Sequence, residues 1–313
     1  MIDESRCLVL RTTCALLCGL WPLFSAEAVS ADSNPDPMTR RPGVAAANAR
    51  LTAGYAFSHV DSTSADFFSA GTGTTSVLRI DDTDAHTVGA EIIGTIPLTH
   101  SIGARGKFRG SYGGMRQSVD LLEPGNDDFD SASYGATAEI FVRDPDLGSL
   151  TLGSRFDRLD GDGGSDANEF GATAGAAAFF PDMGAGPVDW FLGFEYAYRE
   201  VSGSRTMDLD LYKVGGGAGW YVTDDFQFRV GGRWSRAENG TVSEEDSEGF
   251  MDYRWLLPLP VSVELSMGGS VGVSEYKESP FPSDDRLIYG AKMALTFRFG
   301  SAPTLIESVR AYD

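Results

Sequence analysis

The sequence predicts an all-β fold, a transmembrane antiparallel up-and-down β-barrel of about twelve strands running from Ala49 to Gly300. Three observations carry this reading. Apolar and polar residues alternate along each stretch, the links are alternately polar and long, then Pro- or Gly-marked and short, and the stretches run to about 10 to 15 residues. Spanning strands need about 9 to 11 residues, whereas strands of globular proteins have a mode of about 5 to 6. Beyond the N-terminal segment no apolar run approaches the roughly 20 residues of a transmembrane helix. With 38 glycines and 42% hydrophobic residues in 313, the composition suits a barrel, in which only half of each strand must be apolar.

The chain opens with Arg6 and Arg11 ahead of an apolar run, Cys14 to Phe24, and then Ala26-Glu27-Ala28 as a small-x-small cleavage site. This reads as a secretory signal peptide over residues 1–28, with Val29-Ser30-Ala31 as a competing site after residue 31. Either cut removes Cys7, Cys14 and Cys18, so the mature chain has no thiol. Residues 29–48, with Pro35, Pro37 and Pro42, are expected as a periplasmic leader.

Strand one (Ala49 to Val60) points Leu51, Ala53, Tyr55 and Phe57 outward, and a polar loop follows to Asp84. Strand two places Val88, Ala90, Ile92 and Ile96 towards lipid with Glu91 inside, and Pro97 marks its end. Strand three (Ser101 to Gly114) sets Ile102, Ala104, Phe108 and Tyr112 against Arg105, Lys107 and Arg109, which should face the lumen. Strand four (Ser131 to Arg143) alternates Tyr134, Ile140 and Val142 with inward Glu139. Strands five (Gly148 to Leu159) and six (Asn168 to Phe180) are respectively polar and Ala/Gly-rich.

Strand seven (Val188 to Val201) has Val188, Trp190, Leu192, Phe194, Tyr196 and Tyr198 at alternate positions, with Glu195 and Arg199 on the other face. Strand eight (Asp208 to Val222) contains Gly215-Gly216-Gly217, which lets a neighbour approach closely or forms a bulge. Strands nine (Phe226 to Asn239), ten (Gly249 to Leu257), eleven (Pro260 to Tyr276) and twelve (Asp285 to Phe299) complete the set, and an even count puts both termini in the periplasm. Trp190, Trp220, Trp234, Trp255 and Tyr212 fall on the outward face and form the expected aromatic girdle. Residues 301–313 follow as a short periplasmic tail.

The formal net charge is -20, and acidic residues concentrate in the expected outer loops: Asp61, Asp66, Asp81, Asp82 and Asp84, then Glu123, Asp127, Asp128 and Asp130, then Glu244, Glu245, Asp246 and Glu248. This excludes nucleic acid as a partner and suits a solvated rim beside lipopolysaccharide. The basic residues are inside. Arg50, Arg105, Lys107, Arg109, Arg155, Arg199, Arg229, Arg233, Arg254, Lys292 and Arg298 occupy lumen-facing positions, with Glu91, Glu139, Asp157, Glu169, Asp189, Glu195 and Glu264 as partners. Such charges either form a salt-bridged plug or line a pore, and rings of Arg and Lys favour anions. Inward Gly103, Gly153, Gly171, Gly193, Gly231, Gly268 and Gly272 are expected to leave space, so a passive small-solute channel with a slightly cationic lumen is the working function. A closed barrel that uses its acidic rim for surface interactions is the alternative.

A hydrolase on the rim is the third reading, because His59 and His86 flank the first outer loop with the same outward parity, next to Asp84. The arrangement gives no nucleophile, and His100 sits in a turn. No enzyme, cofactor or metal site is expected: there is no P-loop, dinucleotide fingerprint or zinc-spaced cluster, and Asp160-Gly161-Asp162-Gly163-Gly164 lacks the closing Glu of a calcium loop.

Over Ala49 to Gly300 the chain resembles the outer-membrane β-barrel proteins of Gram-negative bacteria, most specifically in strand twelve, where Leu287, Tyr289, Ala291, Met293, Leu295, Phe297 and Phe299 occupy every second position. Phe297-Arg298-Phe299 looks like the C-terminal signal recognised by the barrel-insertion machinery, although residues 301–313 follow where such chains commonly stop. The resemblance implies an outer-membrane location, with lipid, lipopolysaccharide and the insertion machinery as partners.

Overall fold

The computed structural model describes residues 47–62, 66–70, 74–78, 80–119, 125–144, 146–161, 165–180, 186–202, 207–278, 284–300 and 304–312. The expected signal peptide and most of the expected leader, as well as Glu123, lie outside the described residues. β1 (Asn48–Ser62) is followed by a small hairpin, β2 (Asp66–Ala70) and β3 (Thr74–Leu78). The chain then continues through β4 (Ile80–Pro97), β5 (Ile102–Val119), β6 (Gly125–Asp144), β7 (Gly148–Gly161), β8 (Ser165–Phe180) and β9 (Val188–Ser202). After these come β10 (Met207–Thr223), β11 (Phe226–Glu238), β12 (Val242–Leu257), β13 (Val263–Glu278), β14 (Asp284–Phe299) and one helix, α1 (Leu305–Tyr312).

β1 and β4 to β14 form a closed twelve-stranded antiparallel barrel, with β1 hydrogen-bonded to β4 on one side and to β14 on the other. The pleat sorts the side chains. On β9, Trp190, Leu192 and Phe194 are exposed on the outside, while Asp189, Phe191 and Glu195 alternate with them and point inward. The same alternation exposes Phe108, Ile140, Leu152, Met267 and Leu295 around the barrel. An exterior this apolar belongs in lipid, where a closed barrel leaves no backbone donor or acceptor unpaired. Among the described residues no helix is long and apolar enough to cross a membrane.

Strand positions agree with the sequence reading to within a few residues at the short-turn end, whereas at the loop end the strands run on. β4 begins at Ile80, β6 at Gly125 and β12 at Val242. Asp81, Asp82, Asp84, Asp127, Asp128, Asp130, Glu244, Glu245, Asp246 and Glu248, expected in loops, therefore sit on strands. The ladder needs only backbone groups, so it continues past the point where apolar side chains stop. Gly215, Gly216 and Gly217 keep regular register, and the nearby irregularity in β10 falls between Tyr221 and Thr223.

Trp190, Trp220 and Trp255 lie exposed near the short-turn ends of β9, β10 and β12. Trp234 sits towards the loop end of β11 and donates its indole N–H to Glu245 at 2.9 Å. Tyr212 packs on Tyr196 with ring centroids 5.4 Å apart, and the Tyr196 hydroxyl donates to Asp210 at 2.8 Å. Large aromatic side chains thus stand on the outside towards both ends of the strands.

The short-turn end depends on backbone freedom at Gly148, whose φ is 141° and where a β-carbon would stand 1.9 Å from the Ala177 carbonyl oxygen. Gly148→Ala should cost the refolded barrel about 1 to 3 kcal/mol in a urea titration. Gly94→Ala, where nothing stands within 4 Å, should change stability by less than about 0.5 kcal/mol. Equal losses would contradict the account.

Candidate functional site

The lumen is a field of paired charges. Arg105, Lys107 and Arg109 point inward from β5; Lys107 Nζ meets Glu139 at 2.6 Å and Arg105 meets the other Glu139 oxygen at 3.5 Å. Arg109 crosses to Asp157 on β7 through two hydrogen bonds of 2.8 and 2.6 Å, and faces Glu91 across the β4–β5 register. Arg155, with a side chain only 5% exposed, contacts Asp157 at 3.3 Å, Glu195 at 2.5 Å and also Glu169. Glu169 accepts in turn from Arg199, and Glu195 from Lys213 at 3.1 Å. Buried carboxylates and guanidinium groups require such partners, because an isolated charge away from water is costly.

On the opposite wall the pairs are Arg233 with Glu248 at 2.5 Å, Lys292 with Asp252 at 3.0 Å, and Arg254 with Glu264 at 2.6 Å. Arg298, between the outward rings of Phe297 and Phe299, turns inward to Glu264 and donates to the Ser308 hydroxyl at 2.9 Å. Arg229 lies over the Phe191 ring, 4.4 Å from its centroid. Lys213 and Asp252, which the sequence reading did not single out, also point inward, as does Glu248, expected in an outer loop but placed on β12. The signal was there, since Lys213 and Asp252 alternate with outward Tyr212 and Tyr253.

The inter-strand ion pairs named above join strands no more than two apart, so these charges run round the wall. Several inward glycines serve this packing instead of leaving space: a β-carbon at Gly268 would stand 2.0 Å from an Asp252 carboxylate oxygen, and one at Gly103 would strike the Phe141 ring.

Among the described residues two cavities stand out in the interior. One, of about 610 Å³, lies towards the short-turn end and is lined by Lys107, Asp189, Phe191, Arg254 and Val309 among others. The second, of about 380 Å³, extends towards the loops past Ser58, Arg233, Phe250 and Ile288. Both have Arg229, Asp252 and Lys292 in their walls.

The segment expected as a plain tail is the helix α1, seated in the short-turn mouth. Thr304 caps it, its hydroxyl accepting from the Glu307 N–H at 3.3 Å. The Leu305 N–H donates to Asp225 at 3.3 Å, and Leu305 itself is fully buried with Tyr221 and Leu256. Arg310 donates twice to Asp189 at 3.0 and 2.7 Å, and Tyr221 donates to the other oxygen of that carboxylate at 2.7 Å. Val309 lines the larger cavity, so the helix forms its floor.

Outside, at the loop end, His59 Nδ1 lies 2.7 Å from Asp84 and stacks on Tyr289, while His86 meets the Tyr55 hydroxyl at 2.5 Å and the Phe57 ring. The two histidines are diagonal neighbours on β1 and β4, as their parity implies. Among the described residues no group of three or more His, Cys, Asp or Glu could hold a metal ion.

No family model and no curated protein matches the chain. Among solved structures it is similar to an outer-membrane channel from Pseudomonas putida F1, at 10% identity and a TM-score of 0.52, covering 86% of this chain and 100% of the other. The translocator domain of the autotransporter NalP from Neisseria meningitidis matches at 12% identity and a TM-score of 0.48, covering 92% and 98%. The first likeness is one of fold, and that fold is the outer-membrane β-barrel.

Arg155→Ala, which strands carboxylates of Asp157, Glu169 and Glu195, should destabilise the refolded barrel by about 3 to 5 kcal/mol in a urea titration. Arg158, paired with Asp160 and Asp166 on the outside, should leave the transition midpoint in place when changed to Ala. The reverse order would refute the assignment of a buried network.

Proposed function

We propose that this β-barrel sits in the outer membrane and is a narrow passage for small solutes with a cationic bias, covered at its periplasmic mouth by α1. The observation that carries the reading is the direction of the ion pairs. Lys107 to Glu139, Arg109 to Asp157, Arg155 to Glu195 and Lys292 to Asp252 all reach sideways along the wall. A salt-bridged plug needs pairs across the lumen. Long side chains drawn flat against the wall instead leave the two adjoining cavities, with Arg229 and Lys292 where they meet. Cationic side chains at such a junction favour anions.

A second reading, a closed barrel acting through its acidic rim, is favoured by α1 in the short-turn mouth, and one experiment separates the two. Single-channel recording in planar bilayers should give small steps for the mature chain and larger, longer ones after truncation at Gly300 or for Arg310→Ala. Lys292→Gln with Arg233→Gln, whose side chains are 55% and 62% exposed, should shift selectivity away from anions. A folded barrel that stays silent with and without α1 would defeat the passage and leave the closed barrel.

A further inference from the structure

Four adjacent strands carry one row of inward residues in direct register, Phe191 on β9, Gly217 on β10, Gly231 on β11 and Phe250 on β12. A β-carbon at Gly217 would stand 2.8 Å from Phe191 Cζ, and one at Gly231 would stand 2.5 Å from Phe250 Cζ. The two phenyl rings therefore fold towards each other over the glycines, with centroids 6.3 Å apart and planes inclined by 30°. Any larger residue at either glycine would push a ring out across the lumen. With glycine at both, the rings form an apolar shelf flat on the wall.

This shelf lies at the junction of the cavities, Phe191 lining the one above α1 and Phe250 the one towards the loops. Its flanks are cationic: Arg229 sits over Phe191, and Lys292 Nζ lies 5.9 Å from the Phe250 centroid. Lys292 is more than half exposed and pairs with Asp252 at 3.0 Å. The junction thus combines two aromatic rings, Phe191 covered by Arg229, with two cations and one carboxylate in an otherwise polar lumen.

We infer that the row is a binding site for small aromatic monocarboxylates. The solute ring stacks on Phe250 at the 4.5–7 Å spacing of aromatic pairs, beside the Phe191 ring that Arg229 covers, and its carboxylate meets the ammonium of Lys292 and the guanidinium of Arg229. Inorganic phosphate has no ring to stack, so the two phenyl rings and not the charge set the preference. The site rests on the reading of the lumen as a solute passage and names the solute class.

The test is calorimetric titration of the refolded full chain in detergent micelles with benzoate, acetate and inorganic phosphate, folding being checked for every variant by heat-modifiable electrophoretic mobility. Benzoate should bind about tenfold or more tightly than acetate or phosphate. Phe191→Leu with Phe250→Leu should abolish that preference, and Lys292→Gln should weaken benzoate without restoring phosphate. Equal affinities for benzoate and acetate, or an unchanged benzoate affinity in the double Phe variant, would overturn the site. Chloride conductance without benzoate binding would sink this inference and keep the passage, while benzoate binding in a barrel that carries no current would keep the site and remove the passage.

Discussion

Pairing of β1 with β14 is the constraint on which the other features depend. Fourteen residues of β1, from Ala49 to Ser62, find partners on β14 from Phe299 back to Arg286, and on its other side β1 pairs with β4. In lipid every unpaired backbone group costs several kcal/mol, so a sheet with an apolar exterior has to close. Closure with twelve strands then sets the bore, between eight strands, whose interior is just filled by side chains, and the sixteen of an open porin. What happens inside follows from that intermediate width.

In this bore the named charged side chains meet partners along the wall. Arg155 accordingly draws on Asp157, Glu169 and Glu195 from its own and the next two strands. Glycine makes this lateral packing possible, since the missing β-carbon at Gly268 is the space into which the Asp252 carboxylate fits. The same device at Gly217 and Gly231 accommodates the rings of Phe191 and Phe250. Small residues here are filled from the side, which is why their inward position is no measure of free volume.

At the short-turn end the mouth is closed by chemistry of a different kind. Leu305 packs apolar surface against Tyr221 and Leu256, while Asp189 collects Arg310 and Tyr221. An eight-residue helix is too short to be stable alone, so its structure depends on the barrel that receives it. Its connections to β9, β10, β12 and β14 make it part of the lumen.

Sequence alone determined the strand number and the facing of the strands, because the period of two is a local property that every residue reports through its two neighbours. The run Leu287 to Phe299 is legible in this way without any partner strand. It did not determine how far strands continue, since the acidic stretch Glu244 to Glu248 extends β12 through backbone pairing and through cross-strand contacts to Arg233, Trp234 and Ser235 that only the register reveals. Nor did it reveal that Phe191, Gly217, Gly231 and Phe250 share one level, or that Arg310 reaches Asp189 across 121 positions. Those relations depend on register between strands and on closure of the whole sheet, which are set by all twelve pairings together and written in no single stretch of the chain.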